Sequence, residues 1–207
     1  MLVRMNTHAT NTTRQRLIDS ASNLFYARSY GHVGVKEICD VAGVQKGSFY
    51  HFFPSKQELT IAVLDAFAAD FKLNVLDKSL LPELPPLQQL LRIVEHLYLR
   101  QNAMHAQHCK VLGCPYGNIA LELGAQDDTI RQHIDQKFKN FVSIIQQLIE
   151  TAIQRGEFAA CDAPATALAM FSFIEGVLLM AKTTNNPELI RSIGQTIVNI
   201  RVELPTT

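Results

Sequence analysis

The stretch that decides the fold is ICDVAGVQKGSFYHFFPSKQEL, which occupies residues 38–59 of a chain of 207 residues. Its apolar residues recur with a helical period, and Gly43 interrupts them where a left-handed residue would end a helix. The pattern therefore predicts a short helix over about Val35–Ala42 and a second over about Gln45–Phe52. Two short helices joined by a glycine turn are typical of a helix-turn-helix, whose second helix enters the DNA major groove.

Longer helices are predicted on both sides of this pair. Thr12 or Thr13 can cap the first, whose apolar residues share one face: Leu17, Ile18, Ala21, Leu24 and Phe25. Ser55 and Glu58 form a capping box that opens the second, which we expect to continue to about Val75. Residues 1–11 are polar and are predicted to be a flexible N-terminal tail, so the first domain is expected to span residues 12–60.

The remainder of the chain, residues 61–207, shows helical patterns only. The proline-dense residues 80–86 predict a bend. Beyond them, apolar spacing predicts helices over about Leu87–Met104, from near Pro115, and over about Asp127–Arg155, Ala163–Thr183 and Pro187–Val202. The helix over 163–183 is apolar nearly all round, which favours packing against a second chain. The predicted fold class is therefore all-α, with an N-terminal three-helix helix-turn-helix domain followed by a second helical domain.

Composition and charge limit the class of protein. Hydrophobic residues make up 47% and charged residues 18% of the chain, which is typical of a globular protein. The formal net charge is zero, but residues 1–60 contain seven Lys or Arg and four Asp or Glu residues, so the front is mildly basic. No apolar run approaches the roughly 18 residues of a membrane span, and the first thirty residues lack a signal pattern. We therefore expect a cytoplasmic protein with no membrane partner, whose four cysteines are free thiols.

Residues 12–60 resemble the DNA-binding signature of the TetR family of bacterial transcriptional regulators. That signature has Ile-x-x-x-Ala-Gly-Val, Gly-x-x-Tyr, an aromatic pair ending in Phe, and x-Ser-Lys-x-x-Leu, matched here between Ile38 and Leu59. The resemblance implies a transcriptional regulator that binds a palindromic operator as a homodimer; repression is the expected action and activation the alternative. Two departures stand out: Val33-Gly34-Val35 replaces a frequent phosphate-binding Thr or Ser, and Phe52 replaces a frequent His or Tyr.

Candidate DNA contacts follow from the residue types in and after the second short helix. Base readout is predicted for Gln45, Lys46, Ser48 and Phe49, because Gln suits adenine, Lys suits guanine or phosphate, and Phe suits a thymine methyl. Phosphate contacts are predicted for Gly47, where the backbone can approach closely, and for Tyr50, His51 and Lys56. The alternatives are a core position for Tyr50 and plain solvated positions for His51 and Lys56. Phe53 is expected in the core.

The resemblance also implies a role for residues 61–207 as a ligand-binding and dimerisation domain. The helices over about 163–183 and 187–202 would pair with their copies in a homodimer. A small-molecule effector, either apolar or electrophilic, would bind among the middle helices. The segment 109–118 would then move, and the helix containing Phe67 and Phe71 would carry the change to the DNA-binding domain. The expected partners are therefore a double-stranded DNA operator, a second copy of the chain and the effector.

Cys114, with Cys109 nearby, is the candidate effector or thiol-switch site. Cys114 precedes Pro115 at a predicted helix N-terminus, where the helix dipole favours a reactive thiolate; the alternative is a small buried apolar residue. His105 and His108 with these cysteines suggest a metal, but their spacing fits no standard zinc site, so no metal or cofactor is expected. A thiol-dependent enzyme or small-molecule binding protein using Cys114 is the alternative function, although no catalytic motif accompanies it.

Overall fold

A computed structural model describes residues 12–204, and within them it contains helices and no strand. The all-α prediction is confirmed. The α-helices are α1 Thr13–Arg28, α2 Val35–Ala42, α3 Lys46–Phe52, α4 Lys56–Phe71, α5 Asp77–Ser79, α6 Pro86–His108, α7 Pro115–Leu123, α8 Asp128–Gln154, α9 Ala163–Thr183 and α10 Glu188–Gly194. A π-helical turn, Lys72–Leu76, joins α4 to α5, and a 3₁₀ segment, Gln195–Asn199, follows α10. The predicted tail, residues 1–11, lies outside the described residues.

The ends of the first helices are fixed by the capping residues that the sequence indicated. The hydroxyl of Thr12 accepts from the N–H of Gln15 at 3.2 Å and begins α1. Gly43 ends α2 with φ +64°, a left-handed conformation that costs glycine little. The Ser55 hydroxyl accepts from the N–H of Glu58 at 3.1 Å and begins α4. Each of these bonds satisfies a backbone group that a helix end leaves unpaired.

Three predicted helix ends are wrong. The helix α6 continues to His108, four residues beyond the predicted end at Met104, and Cys109 then ends it with φ +56°. The residues after Met104 bring no further buried apolar side chain, so the apolar period could not show the last turn. The chain stays helical past the predicted end near Val75, because the π-helical turn Lys72–Leu76 and α5 follow α4 without a break, and α10 ends at Gly194, followed by the 3₁₀ segment to Asn199, rather than near Val202.

The chain divides into two compact units that are not continuous in sequence. The first unit contains the residues up to Asp70 together with Pro115–Asp135, and the second contains Phe71–Cys114 together with the chain from Gln136 onward. The helix α7 and the start of α8 therefore group with the helix-turn-helix, across the domain boundary at residue 60 that the sequence suggested. Each unit has its own apolar core: Leu17, Ile38, Phe49, Leu59 and Phe67 in the first, and Leu90, Val94, Ile149, Met170 and Ile190 in the second.

The helix α9 is buried on one face and apolar on the other. Its 21 residues have a mean hydropathy of 1.6 over the most apolar window, so length and composition alone would allow a membrane span. In this structure 39% of that window is buried inside the protein, and Ala167, Met170 and Ile174 belong to the apolar core of the second unit. Its exposed side carries Leu168, Leu179 and Met180.

Candidate nucleic-acid interface

The helix α3 places most of the predicted DNA contacts on its solvent side. Gln45, at the N-cap position, is exposed, as are Lys46 and Gly47. Tyr50 is 50% exposed and His51 is also exposed, whereas Ser48 is half-buried. Lys46 lies over the Tyr50 ring, with its ammonium 5.9 Å from the ring centroid. A core position for Tyr50 is therefore excluded, and the polar ends of these side chains are accessible to a ligand as large as DNA.

Phe49 does not belong to this surface. Its side chain has no exposed area, so the prediction that Phe49 meets a thymine methyl is wrong. The reason is helical geometry: Phe49 and Phe53 lie four residues apart on the inner face, with ring centroids 6.1 Å apart. Phe53 is 3% exposed, which confirms the prediction of a core role for that residue. The position of an aromatic residue within a sequence motif does not show which face of the helix its ring occupies.

The N-terminal half of α3 leaves open space around Gly47. A Cβ atom built at Gly47 would meet no atom within 4 Å, so folding does not require glycine there for reasons of space. The N-cap residue Gln45 makes no side-chain capping hydrogen bond. At the start of α2 the N-cap residue is Gly34, and it likewise supplies no side-chain bond. Many TetR-like sequences carry a phosphate-binding hydroxyl at this position, and Gly34 has no side chain that could take its place.

Lys56, a predicted phosphate contact, already has partners within the first unit. Its ammonium donates to the backbone carbonyl of Tyr30 at 2.6 Å and lies 3.6 Å from the centroid of the Tyr30 ring. Burial lowers the pKa of Lys56, and the nearby Glu122 carboxylate acts in the opposite direction. Glu122 belongs to α7 and is not among the site residues predicted from the sequence. A single glutamate in an apolar helix does not show in the sequence which distant residue it will contact.

In the second unit, two amide side chains hold the segment that precedes α7. Gln101, which is 2% exposed, donates to the Gly113 carbonyl at 2.9 Å and accepts from the N–H groups of Leu112 and Gly113 at 3.0 and 3.1 Å. Asn185 donates to the Cys109 carbonyl at 3.0 Å and accepts from the N–H of Val111 at 2.9 Å. The segment predicted to move is therefore held by side-chain hydrogen bonds to its backbone in this conformation.

Cys114 is half-buried and lies immediately before α7. Its thiol is hydrogen-bonded to the Glu175 carboxyl of α9, and burial raises the pKa of that carboxyl although the bond to Cys114 opposes the rise. Lys182, two turns further along α9, interacts electrostatically with Cys114, and burial lowers the pKa of its ammonium. Cys109 is exposed and takes a left-handed conformation at the end of α6. Cys114 therefore lies among ionisable groups, whereas Cys109 ends a helix at the surface.

Among residues 12–204, no group of three or more His, Cys, Asp or Glu residues is arranged so that it could hold a metal ion. His105 and His108 both lie in the last turn of α6. A groove of about 410 Å³ lies on the first unit between α1 and α4, with Arg14, Glu58 and Asp65 among its lining residues. This charged lining differs from the apolar effector pocket predicted among the middle helices.

Two short helices are joined by a glycine turn, and the second of them exposes amide, amine, phenol and imidazole groups. This arrangement defines the class of protein, which is a helix-turn-helix transcriptional regulator that binds DNA. The sequence model described as "Bacterial regulatory proteins, tetR family" matches residues 17–63. The model described as "Tetracyclin repressor-like, C-terminal domain" matches residues 86–197. The chain belongs to the TetR family, as its resemblance to the signature implied.

Individual relatives agree with this membership over nearly the whole chain. The chain is 33% identical to "Transcriptional regulator AcuR" of Cereibacter sphaeroides, covering 88% of this chain and 82% of that protein. It is 23% identical to "HTH-type transcriptional repressor NemR" of Escherichia coli K12, covering 95% and 97%. A crystal structure of a regulatory protein TetR from Rhodobacter sphaeroides superposes with a TM-score of 0.80 at 30% identity, covering 92% of this chain and 99% of that one.

Proposed function

We propose that the protein is a repressor that binds a palindromic DNA operator as a homodimer and releases it when an effector binds. The observation that carries this proposal is the division of α3 into a buried face, with Phe49, and an exposed polar face, with Lys46, Tyr50 and His51. Gln45, Lys46 and Ser48 are proposed to read bases, and Gly47, Tyr50 and His51 to contact phosphates. The relative NemR is a transcriptional repressor, which favours repression over activation here.

The homodimer is proposed to form through α9 and the chain that follows it. Leu168, Leu179 and Met180 of α9 expose about half of their surface or more, and Ile193 of α10 is 43% exposed. Exposed apolar side chains that follow one face of a helix are typical of an interface between copies. A symmetric dimer would present two copies of α3 to half-sites about one helical turn of DNA apart, which requires a palindromic operator.

The effector is proposed to act at or near Cys114, with an electrophile as the sharper candidate and an apolar molecule as the other. A helix N-terminus and the nearby Lys182 favour a thiolate, whereas an ionised Glu175 beside it would oppose one. If Cys114→Ser releases operator DNA on quinone treatment as readily as the wild type, the thiol has no part in sensing. A cytoplasmic location is proposed, as for a regulator that must reach DNA.

The proposal is tested by gel shift with the DNA upstream of the protein's own gene, at several salt concentrations. We expect a specific, salt-sensitive shift, and Lys46→Met should weaken binding by about 1–3 kcal/mol and relax the base preference at one operator position, because Lys46 is proposed to read a base. Gly47→Ala should weaken binding without loss of stability, because the added methyl meets only solvent in the free protein. If the wild-type protein shifts no upstream fragment, the proposal that it is a repressor is refuted.

A further inference from the structure

The turn between α1 and α2 is held by a residue of α7. The Glu122 carboxylate accepts one hydrogen bond from the N–H of Tyr30 at 2.9 Å and another from the N–H of Gly31 at 2.5 Å, one on each oxygen. Tyr30 and Gly31 are 92 and 91 residues away from Glu122 in sequence. Bonds from backbone N–H groups to a carboxylate are charge-assisted and therefore stronger than neutral ones. We refer to Tyr30, Gly31, Lys56 and Glu122 as the turn clasp.

Lys56 completes the turn clasp from the start of α4. Its ammonium bonds to the Tyr30 carbonyl and faces the Tyr30 ring, so both polar groups of the Tyr30 backbone are bound by side chains of opposite charge. Further bonds fix α7 and the start of α8 to α4 within the same unit. The Tyr116 hydroxyl donates to the Leu64 carbonyl at 2.9 Å, and the Gln57 amide donates to the Asp127 carboxylate at 2.7 Å.

The position of the turn matters because it leads directly into the DNA-reading pair. The turn starts after Ser29, and α2 begins five residues after Tyr30; Gly43 then joins α2 to α3. Three elements therefore meet at Tyr30: the end of α1, the start of α4 through Lys56, and α7 through Glu122. Loss of the carboxylate would free the turn while leaving the buried core residues in place.

We infer that Glu122 is a positioning residue for operator binding, and that Lys56 serves the turn clasp rather than a DNA phosphate. The inference rests on the proposed function, since it concerns how tightly operator DNA is bound. Glu122 acts through the α1–α2 turn, which it holds so that α2 and α3 keep the orientation that DNA requires. Couplings of this kind typically change affinity by about 2- to 30-fold.

Glu122→Gln gives a test whose sign separates the turn clasp from simple electrostatics. Removing a negative charge from a DNA-binding protein should, by charge alone, tighten DNA binding. The turn clasp predicts weaker binding instead, by about 2- to 30-fold, because the amide of Gln presents a donor to one of the two N–H groups. Glu58→Gln, an exposed carboxyl in the same unit, is the control with the same charge change, and it should bind as tightly as the wild type or more tightly.

A second pair of variants tests the turn clasp from the other side. A Cβ atom at Gly31 would lie 2.7 Å from the Glu122 Oε1 atom, so Gly31→Ala should push the flexible carboxylate away while the fold persists. A Cβ atom at Gly34, in the same connection, would meet nothing within 4 Å, which makes Gly34→Ala the matched control. We expect Gly31→Ala to weaken binding like Glu122→Gln and to speed amide exchange at Tyr30, whereas Gly34→Ala should leave that exchange unchanged.

The assay measures the affinity of full-length protein for a 30-bp duplex that the wild type selects from a random library, with amide hydrogen exchange at Tyr30 and Gly31 measured on the free protein.

Lys56→Met should weaken binding without changing the salt slope. A slope lowered by about 1 would instead assign Lys56 to a phosphate and overturn that part of the inference. Faster exchange in Glu122→Gln with unchanged or tighter DNA binding would overturn the positioning role. If the wild type selects no duplex, the proposed function fails, whereas the exchange data still show whether Glu122 holds the turn.

Discussion

Gln101→Met should loosen the segment that carries Cys114. The substitution keeps the length of the side chain and its apolar stem but removes the amide, which makes three hydrogen bonds of 2.9–3.1 Å to the backbone of Leu112 and Gly113. All three residues are buried, so water cannot replace the lost partner without entering the core of the second unit.

The expected loss of stability follows from those three backbone groups. A buried donor or acceptor that loses its partner costs about 1–3 kcal/mol, so three of them cost at least about 3 kcal/mol. That is a large part of the about 5–15 kcal/mol by which a typical domain is stable. Gln107→Met is the matched control, because Gln107 lies on the same helix and is exposed, and it should change stability by less than about 0.5 kcal/mol.

The measurement is equilibrium urea unfolding at one fixed protein concentration, since dimerisation would make stability depend on concentration. Native-state hydrogen exchange at the amides of Leu112 and Gly113 locates the effect, and both should exchange faster in Gln101→Met. The physical reasoning is refuted if Gln101→Met and Gln107→Met unfold within about 0.5 kcal/mol of each other and the two amides stay equally protected.

Three further predictions concern the core of α3, the end of α2 and the half-buried carboxyl of Glu175. Phe49→Ala should destabilise the protein by about 3–5 kcal/mol in urea unfolding, because Phe49 is fully buried; Phe49→Leu should cost less and leave the selected operator sequence unchanged, and a new base preference at normal stability would contradict this. Gly43→Ala should cost about 1–2 kcal/mol, because φ is +64° there, and an unchanged denaturation midpoint would show that another residue sets this turn. Burial raises the pKa of Glu175 in the folded state, so the folded chain binds more protons and the free energy of unfolding should fall as pH rises from the unfolded pKa through the folded one. Glu175→Gln should remove that fall, the exposed Glu157→Gln should retain it, and parallel pH profiles for wild type and Glu175→Gln would refute the assignment.

Much of the local structure could be predicted because its causes are local. Thr12, Gly43 and Ser55 act within four residues of their own positions, so the start of α1, the end of α2 and the start of α4 are written in the adjacent sequence. The bounds of α2 and α9 agree with the sequence prediction for the same reason. The end of α6 was missed because its last turn lacks a buried apolar residue to continue the period.

The face on which a motif residue lies required the packed structure. Phe49 stands among exposed DNA-contact candidates in sequence, yet helical rotation turns it into the core while Lys46 and Tyr50 remain outside. A sequence motif records which residue types occur together, whereas burial depends on the direction in which the rest of the unit packs. The base-reading set is accordingly reduced to Gln45, Lys46 and Ser48.

By itself, the sequence determined that this protein is an all-α TetR family regulator with its reading helix after Gly43, because capping, helical period and motif spacing act over a few residues. Only the tertiary structure decided which side chains meet: Glu122 with the turn at Tyr30, Gln101 with Gly113, and Cys114 with Glu175. These partners lie between 12 and 92 residues apart in the sequence. The residues adjacent in sequence do not indicate such contacts, because the contacts form only when separate helices pack and bury the groups that bind each other.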